Sequence, residues 1–328
     1  MGGPALNILF VGPEITSPAE IRTYGAVWSY YLSRELRQRG VGVRVVGQLR
    51  ADDDNAPEHY RHLDLAGIDH VVSLGVRYFD RLPSACGTIL MERMASRGAV
   101  AQIHDGAVLR APVDFTFTVR DDSGRYPPGS PQHDEFLAKT RYIGWAADPR
   151  ICWPGQPDDE LRILVDHPLY GDRTDATRAV LTDLHAFVHH GRWRKDWSAV
   201  RVRQILDGDI ADIDLFDPKV APYKRMHIPY ADICREYSET HIFMPTHQEG
   251  VGLSALETAM AGALVVAREG FIAPDRLKTI RHLVYKDVAP WGVVVDSIDV
   301  RASRTKAVEN SWAAVAKRMI EHLKGFKK

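Results

Sequence analysis

Two glutamates, Glu249 and Glu257, bracket a glycine-containing turn in the stretch HQEGVGLSALETAMAGALVVA, residues 247–267. The turn follows the apolar run HIFMPT and leads into a helical pattern, so Gly250 and Gly252 lie in a strand-to-helix connection. The first turn of a helix leaves backbone N–H groups unpaired and carries a partial positive charge, and glycines allow a phosphate to approach it closely. We therefore expect an anion site at this turn.

The two carboxylates flank that expected anion site, Glu249 just before the turn and Glu257 about one helical turn inside the helix. Carboxylates repel phosphate but accept hydrogen bonds from hydroxyl groups. A nucleotide sugar suits both the anion site and the two carboxylates, because it carries ribose hydroxyls on one side of its diphosphate and hexose hydroxyls on the other. The alternative, that both are solvated surface acids, stays open on the pattern alone. Close packing of the helix on the sheet is predicted for the small residues Ala255, Ala259, Ala261 and Gly262.

The elements that must position this turn form two series of short apolar runs alternating with amphipathic stretches. The first series starts with NILFVG and continues to about residue 119, and the second starts with LRILVD. Between them, residues 120–160 are rich in Pro, Gly and Asp, as is typical of a boundary loop. The pattern predicts an α/β protein with two Rossmann-like domains, 1–146 and 147–328, and a cleft between them, with ligands at the carboxyl ends of the strands.

Composition limits the class of partner and the compartment. The 328 residues are 45% hydrophobic with a formal net charge of −1, which suffices for two cores and gives no indication of a nucleic-acid partner. Three cysteines without close spacing indicate neither a disulfide framework nor a zinc site. The first residues show neither a basic leader nor a membrane-length apolar run. We expect a cytoplasmic protein, and the oligomeric state stays open.

A peripheral contact with the inner face of the membrane is an open alternative. The helix that follows Gly25 carries Trp28, Tyr30 and Tyr31 among several arginines, which could dock on an anionic bilayer. The same pattern fits a buried aromatic face with solvated arginines, and we favour that second interpretation.

Two classes of enzyme are poorly consistent with the sequence. A metal-dependent, single-domain glycosyltransferase needs an Asp-x-Asp site, and candidates occur at 207–209 and 212–214. They follow the run VRVRQIL rather than the glutamate motif, so we expect no metal site. The stretch VGPEITSPAE lacks a G-x-G-x-x-G fingerprint, which argues against a dinucleotide-dependent dehydrogenase.

Residues 228–267 resemble the donor-binding region of family 4 glycosyltransferases, which have the GT-B fold. The signature is a glutamate, a Gly-aromatic-Gly-Leu turn and a second glutamate eight positions after the first, and the spacing matches here. Val251 replaces the usual aromatic residue. The resemblance is weaker over residues 7–47 and weak elsewhere. It implies two Rossmann-like domains that face a central cleft.

The resemblance assigns roles to the residues of the turn. It implies that Glu249 contacts hydroxyls of the donor sugar and that Glu257 binds the ribose. It also implies that the diphosphate and the sugar are held by backbone groups of Gly250, Val251, Gly252 and Leu253. The donor is then a nucleotide sugar, UDP- or GDP-linked, with no further cofactor and no metal.

The sequence departs from the family in the loop that should neutralise the leaving diphosphate. Family members carry an Arg and a Lys after the first strand of the second domain, whereas this loop reads DHPLYGDRTD and offers only Arg173. Arg194 or Lys195 from a neighbouring loop are alternatives. In the first domain, the family places glycines near the donor phosphate, for which Gly12 and Gly25 are candidates. It also often places a histidine beside the sugar, for which His104 is the candidate.

The function that the resemblance implies is a retaining, metal-independent hexosyltransferase. The 1–146 domain would bind the acceptor, a glycan, lipid-linked or small-molecule hydroxyl, and the 147–328 domain the donor. A terminal helix from about 306 to 328 is expected to pack back on the first domain through the stripe Val308, Trp312, Val315, Met319 and Leu323. A sugar-nucleotide epimerase, a glycoside phosphorylase and a catalytically silent sugar-nucleotide sensor remain as alternatives.

Overall fold

A computed structural model describes residues 6–21, 24–47, 56–74, 84–104, 112–166, 174–190, 197–206, 209–213, 228–246 and 252–326. The chain divides into two compact units. The first unit contains residues 1–145 and 312–328, and the second contains residues 146–311. The chain therefore passes from the first unit to the second and returns to the first for its last segment.

Six described strands form a parallel sheet in the first unit, in the order β2-β1-β3-β4-β5-β6. The strands are β1 (Asn7–Val11), β2 (Gly42–Val46), β3 (His70–Ser73), β4 (Val100–His104), β5 (Phe115–Thr118) and β6 (Thr140–Tyr142). The direction in which strands are added reverses between β1 and β3. The carboxyl ends of these two strands are therefore the switch point at which such sheets bind ligands.

The second unit contains a sheet in the order β12-β11-β10-β7-β8-β9. Its strands are β7 (Glu160–Val165), β8 (Ala199–Leu206), β9 (Asp209–Asp212), β10 (Ile242–Met244), β11 (Leu264–Arg268) and β12 (His282–Tyr285). The strands from β12 to β8 are parallel, and β9 pairs with β8 in the antiparallel direction. The switch point of this sheet lies between β7 and β10.

The described helices surround the two sheets. They are α1 (Tyr24–Gln38), α2 (Ala56–His62), α3 (Ser84–Met94), α4 (Pro131–Lys139), α5 (Thr174–His190), α6 (Tyr230–Glu239), α7 (Leu253–Met260), α8 (Pro274–Leu277), α9 (Trp291–Asp296), α10 (Val300–Ala307) and α11 (Trp312–Lys324). Among the described helices none is long and apolar enough to cross a membrane. The α/β architecture with two Rossmann-like sheets agrees with the prediction from alternating periodicity.

Residues 120–160, which the sequence predicts to be a boundary loop, contain regular structure, so that part of the prediction is wrong. Helix α4 is capped by Ser130, whose side chain accepts a hydrogen bond from the backbone of His133 at 3.2 Å, and Pro131 occupies its first turn. Phe136 is buried, and Thr140 at the start of β6 donates to the Phe136 carbonyl at 2.6 Å. A short helix with one buried aromatic residue has too little periodicity to stand out against many prolines and glycines.

The aromatic face of α1 packs against α11 within the first unit. The ring centroids of Trp28 and Trp312 are 4.8 Å apart at an interplanar angle of 87°, and Tyr31 stacks on Trp312 at 6.0 Å. All three side chains are buried. Trp28 and Tyr31 are therefore used for packing within the unit, and a peripheral membrane contact stays a prediction.

The terminal helix begins later than the sequence predicts. Val308 lies in a short 3-10 turn, Ser311 is extended, and α11 starts at Trp312 rather than near residue 306. The extended backbone at Ser311 forms a parallel bridge with Ala147. This bridge explains why the helical pattern is interrupted. The rest of the predicted stripe is buried on α11, namely Trp312, Val315, Met319 and Leu323.

Candidate functional site

Polar residues follow the two strands at the switch point of the second sheet. Asp166 comes directly after β7 and Thr246 follows β10, and both are buried. The backbone N–H of Asp166 donates to the carbonyl of Met244 at 2.9 Å. Neither residue is among the predicted site residues, although a polar residue that follows a buried apolar run is the signal that marks them.

Gly252 connects this edge of the sheet to α7. It is the N-cap of the helix with φ 68° and ψ 33°, a left-handed conformation that favours glycine over residues with a Cβ. Leu253 is the first residue of the helix, and in the described part of the chain no side chain caps it. The anion site at this turn stays a prediction, and it is compatible with a helix N-terminus that no described side chain caps.

Glu257 lies one turn further along α7 and is only 2% exposed. The hydroxyl of Tyr230, the first residue of α6, donates a hydrogen bond to its carboxyl group. Burial raises the pKa of Glu257 to about 8, and the hydrogen bond from Tyr230 partly opposes that rise. Glu257 is therefore not a solvated surface acid, and its carboxyl group is mostly protonated at neutral pH. In that form it can both donate and accept a hydrogen bond.

Other buried polar groups surround this pair. The thiols of Cys152 and Cys234 are hydrogen-bonded to each other, and this bond together with burial raises the pKa of Cys152. Burial also raises the pKa of Tyr237, whose side chain is hydrogen-bonded to Ser254 in the first turn of α7. The bond between Tyr237 and Ser254 joins α6 to the start of α7, and the thiol pair joins α6 to the segment before β7. Sequence reasoning missed them because their partners are far apart in the chain.

The small residues of this segment have a packing role, as the sequence predicts. Ala255, Ala259 and Ala261 are fully buried. Gly262 has φ 107°, and a Cβ at this position would lie 2.5 Å from a methyl carbon of Val300 in α10. Only glycine fits this contact between α7 and α10.

Four predicted site residues lie outside the described residues: Glu249, Gly250, Val251 and Arg173. The alternatives to Arg173, Arg194 and Lys195, also lie outside them. The roles of these residues stay predictions.

The predicted residues of the first unit occupy different positions on its sheet. His104 is the last residue of β4, is 5% exposed and pairs with Thr118, so it lies at the carboxyl edge. Gly25 is a buried residue in the first turn of α1. Gly12 has a packing explanation, because a Cβ there would lie 2.7 Å from the Leu74 side chain.

The Asp-x-Asp candidates have a structural explanation where they are described. Asp209 and Asp212 belong to the edge strand β9, and Asp212 accepts two hydrogen bonds from Arg201 at 2.8 and 2.9 Å. Asp207, Gly208 and Asp214 lie outside the described residues. Within the described ranges, no three His, Cys, Asp or Glu side chains are grouped as a metal ion would require.

A cavity of about 660 Å³ lies at the edge of the first sheet that is opposite to the edge with His104. It is lined by residues that precede β1, β3 and β4 and by the end of α11, among them Leu6, Asp69, Arg97 and Phe326. This is the amino edge of the sheet. Since parallel sheets bind ligands at their carboxyl edge, the cavity is separate from the candidate site.

No protein-family model matches the sequence, and no curated protein matches it. Solved structures match over nearly the whole chain. Sucrose-phosphate synthase from Thermosynechococcus elongatus is 12% identical with a TM-score of 0.57, and the alignment covers 97% of this chain and 98% of the other. The chain has the GT-B fold.

Two further structures with this fold differ in the reaction that their names state. The catalytic domain of starch synthase IV from Arabidopsis thaliana, bound to ADP and acarbose, is 9% identical with a TM-score of 0.56, covering 98% of this chain and 99% of that one. UDP-GlcNAc 2-epimerase from Neisseria meningitidis, bound to UDP-GlcNAc, is 12% identical with a TM-score of 0.51. That alignment covers 98% of this chain and 100% of the epimerase chain. At such identities the likeness establishes the fold and leaves the reaction open.

Proposed function

We propose that this protein is a retaining glycosyltransferase of the family 4 type, which moves a sugar from a nucleoside diphosphate to an acceptor hydroxyl. The observation that carries the proposal is the geometry at the start of α7. Gly252 in the left-handed conformation opens the helix N-terminus at the switch point of the second sheet, and Glu257 lies one turn behind it. The sequence spacing of Glu249 and Glu257 matches the family signature at this same turn.

The proposed chemistry assigns the diphosphate to the N-terminal turn of α7. Backbone N–H groups of Gly250, Val251, Gly252 and Leu253 would stabilise the charge that develops on the leaving diphosphate. Helix N-termini and basic side chains would supply this stabilisation without a divalent cation. The donor is UDP- or GDP-linked in this proposal.

The remaining predicted residues have separate roles in the proposal. Glu257 binds ribose hydroxyls, and Glu249 contacts the donor sugar, whose geometry and charge change as the bond to the diphosphate breaks. Arg173 neutralises the leaving group. His104 lies at the carboxyl edge of the first sheet, where we place the acceptor and the sugar, and Gly25 allows the backbone to approach the donor phosphate.

An epimerase is the second candidate, because an epimerase that binds a UDP-sugar shares this fold. The loop at 166–175 also supplies one arginine where the family has an Arg and Lys pair, so leaving-group stabilisation is the weakest match. A phosphorylase and a silent sugar-nucleotide sensor share the same site.

One set of assays separates these functions. The full-length protein is first screened with UDP, GDP and ADP for a rise in melting temperature, since ligands of the native state stabilise it. Proton NMR then follows the corresponding sugar nucleotides alone, with phosphate, and with a mixture of sugar and polyol acceptors. A transferase releases nucleoside diphosphate and forms an acceptor-dependent product with the donor's anomeric configuration. Conversion of the donor alone to its epimer, a phosphate-dependent product, or binding without turnover would each contradict the proposal.

A further inference from the structure

One face of the first sheet changes from apolar to polar toward the carboxyl ends of strands β3 to β6, whereas Val11 of β1, which pairs with Ser73, stays apolar. On the face covered by α2 and α3, the paired residues Leu9, Val71 and Val100 belong to the apolar core. Two residues further along each strand, side chains return to the same face. That next row of paired residues, from β3 to β6, is Ser73, Gln102, Thr116 and Thr140. On the same face, His104 then pairs with Thr118.

This polarity is unusual for the position. Strands of a parallel sheet that is covered on both faces carry near-continuous Val, Ile and Leu. The polar residues are nevertheless buried, with exposures of 0% for Ser73, 3% for Gln102 and 5% for His104. At the same depth on the opposite face, Val72, Ile103 and Phe117 remain apolar. The polar character is therefore specific to one face.

Part of the row is satisfied internally. The amide of Gln102 donates to the Thr116 hydroxyl at 3.0 Å, and the Thr140 hydroxyl donates to the carbonyl of Phe136. The hydroxyl of Ser73 is buried and, among the residues that the structure describes, has no hydrogen-bond partner. A buried polar group without a partner destabilises the fold, so a partner from a ligand would compensate. Ser73 is also the last residue of β3, directly at the switch point with β1.

Among the residues that the structure describes, the charges near these side chains indicate which ligand fits. These six paired residues, which include His104 and Thr118, carry hydroxyl, amide and imidazole groups and no carboxylate, ammonium or guanidinium group. Just after β5, Asp122 binds Arg120 at 3.0 Å and Arg125 at 3.0 Å, so these two arginines are already paired. Uncharged donors and acceptors of this kind match the hydroxyls of a neutral ligand better than a phosphate.

We propose that Ser73, Gln102 and His104, with Thr116 and Thr118, recognise the hydroxyl groups of an uncharged sugar or polyol that serves as the acceptor. We call these five residues the polar row. The inference rests on the proposed glycosyltransferase function, since it names the acceptor class for that reaction. It gives Ser73 the role of a specificity-determining residue that contacts the acceptor.

Saturation-transfer NMR on the full-length protein without donor tests this inference, with D-glucose, D-mannose, myo-inositol and glucose 6-phosphate as probes. We expect at least one neutral probe to bind. Ser73→Ala should weaken that binding by about threefold to tenfold, as expected for one neutral hydrogen bond. Because this substitution removes an unpartnered hydroxyl, the melting temperature of Ser73→Ala should equal or exceed that of the wild type. Ile103→Val is the matched control, because Ile103 lies on the neighbouring strand β4 and faces the opposite side of the sheet. It should leave probe binding unchanged.

Three outcomes would overturn the inference. They are binding of glucose 6-phosphate alone, no binding of any neutral probe, and equal probe affinity in Ser73→Ala and the wild type. If Ser73 had a purely structural role, Ser73→Ala would bind the probes as tightly as the wild type and would melt at a lower temperature. Loss of probe binding in Ser73→Ala without any donor turnover would support the inference and contradict the proposed function. Sugar transfer with an unchanged acceptor KM in Ser73→Ala would support the proposed function and contradict the inference.

Discussion

The hydroxyl of Tyr230 donates a hydrogen bond to the carboxyl group of Glu257, and thereby joins the first turn of α6 to α7. Both groups are buried, and burial raises the pKa of each. The bond fixes the side chain that we propose to bind ribose. It therefore couples the stability of the second unit to the proposed donor site.

Tyr230→Phe removes only the hydroxyl and leaves the ring in place. Because the buried carboxyl of Glu257 then loses its partner, we expect unfolding free energy to fall by about 1–3 kcal/mol. Urea denaturation measures this change. Tyr126→Phe, at a partly exposed tyrosine, is the control and should change the free energy by much less. Equal effects of the two substitutions would show that the bond to Glu257 contributes little.

Glu257 should also make stability depend on pH. Its pKa is raised to about 8 in the folded protein, above the ordinary value of 4.5, so the folded state holds a proton that the unfolded state has lost between these pH values. Stability should therefore fall as pH rises from about 5 to 8, by about 1.4 kcal/mol for each unit of pKa difference.

The matched variant Glu257→Gln isolates this effect, because glutamine does not titrate. Other groups titrate alike in both proteins, so the difference between their unfolding free energies at pH 5.5 and pH 8 reports Glu257 alone. We expect the wild type to lose several kcal/mol relative to the variant over this interval. Parallel pH profiles would mean that Glu257 is ionised in the fold.

Gly252→Ala tests the left-handed N-cap of α7. An alanine at φ 68° is strained, so we expect a loss of stability of about 1–2 kcal/mol and weaker binding of nucleoside diphosphate. Differential scanning fluorimetry with and without the nucleotide measures both. Gly292→Ala is the control, because a Cβ there meets no atom within 4 Å and the residue lies in helix α9. If Gly252→Ala and Gly292→Ala had the same stability and nucleotide affinity, the left-handed conformation of Gly252 would not be required for either property.

Trp312→Ala tests the packing of α11 on α1. The side chain is 1% exposed and contacts Trp28 and Tyr31, so its truncation should leave a cavity and cost about 3–5 kcal/mol. Chemical denaturation followed by circular dichroism gives the value. Trp153→Ala, at a tryptophan that is 63% exposed, should cost far less. A small effect at Trp312 would contradict a stabilising role for the terminal helix.

Strong periodicity is what made most of the fold predictable. The runs NILFVG and LRILVD, each followed by an amphipathic stretch, correspond to β1 with α1 and to β7 with α5. Helix α4, strand β6 and the antiparallel strand β9 could not be predicted. These elements are short, and long-range pairing rather than their own pattern determines them.

The site was predictable only where local conformation carries the signal. Gly252 and the start of α7 followed from a glycine turn before a helix. The burial of Glu257 did not, because it depends on tertiary neighbours such as Tyr230, which is distant in sequence. The polar row was also hidden, since an alternating run such as FTFT in β5 indicates a strand but does not show which face binds a ligand.

The contrast between Glu249 and Glu257 tests the proposed nucleotide-sugar site most directly. Ribose hydroxyls bind alike in the ground and transition states, so Glu257→Ala, which removes their hydrogen-bond partner, should weaken the binding of free nucleoside diphosphate by about 1–3 kcal/mol. Glu249→Gln acts on the sugar, so turnover should fall while nucleotide binding stays near that of the wild type. Calorimetric titration with UDP and GDP, paired with steady-state kinetics on the matching sugar nucleotide, measures both quantities for each variant. Equal loss of nucleotide affinity in Glu249→Gln and Glu257→Ala, or no loss in either, would contradict the account.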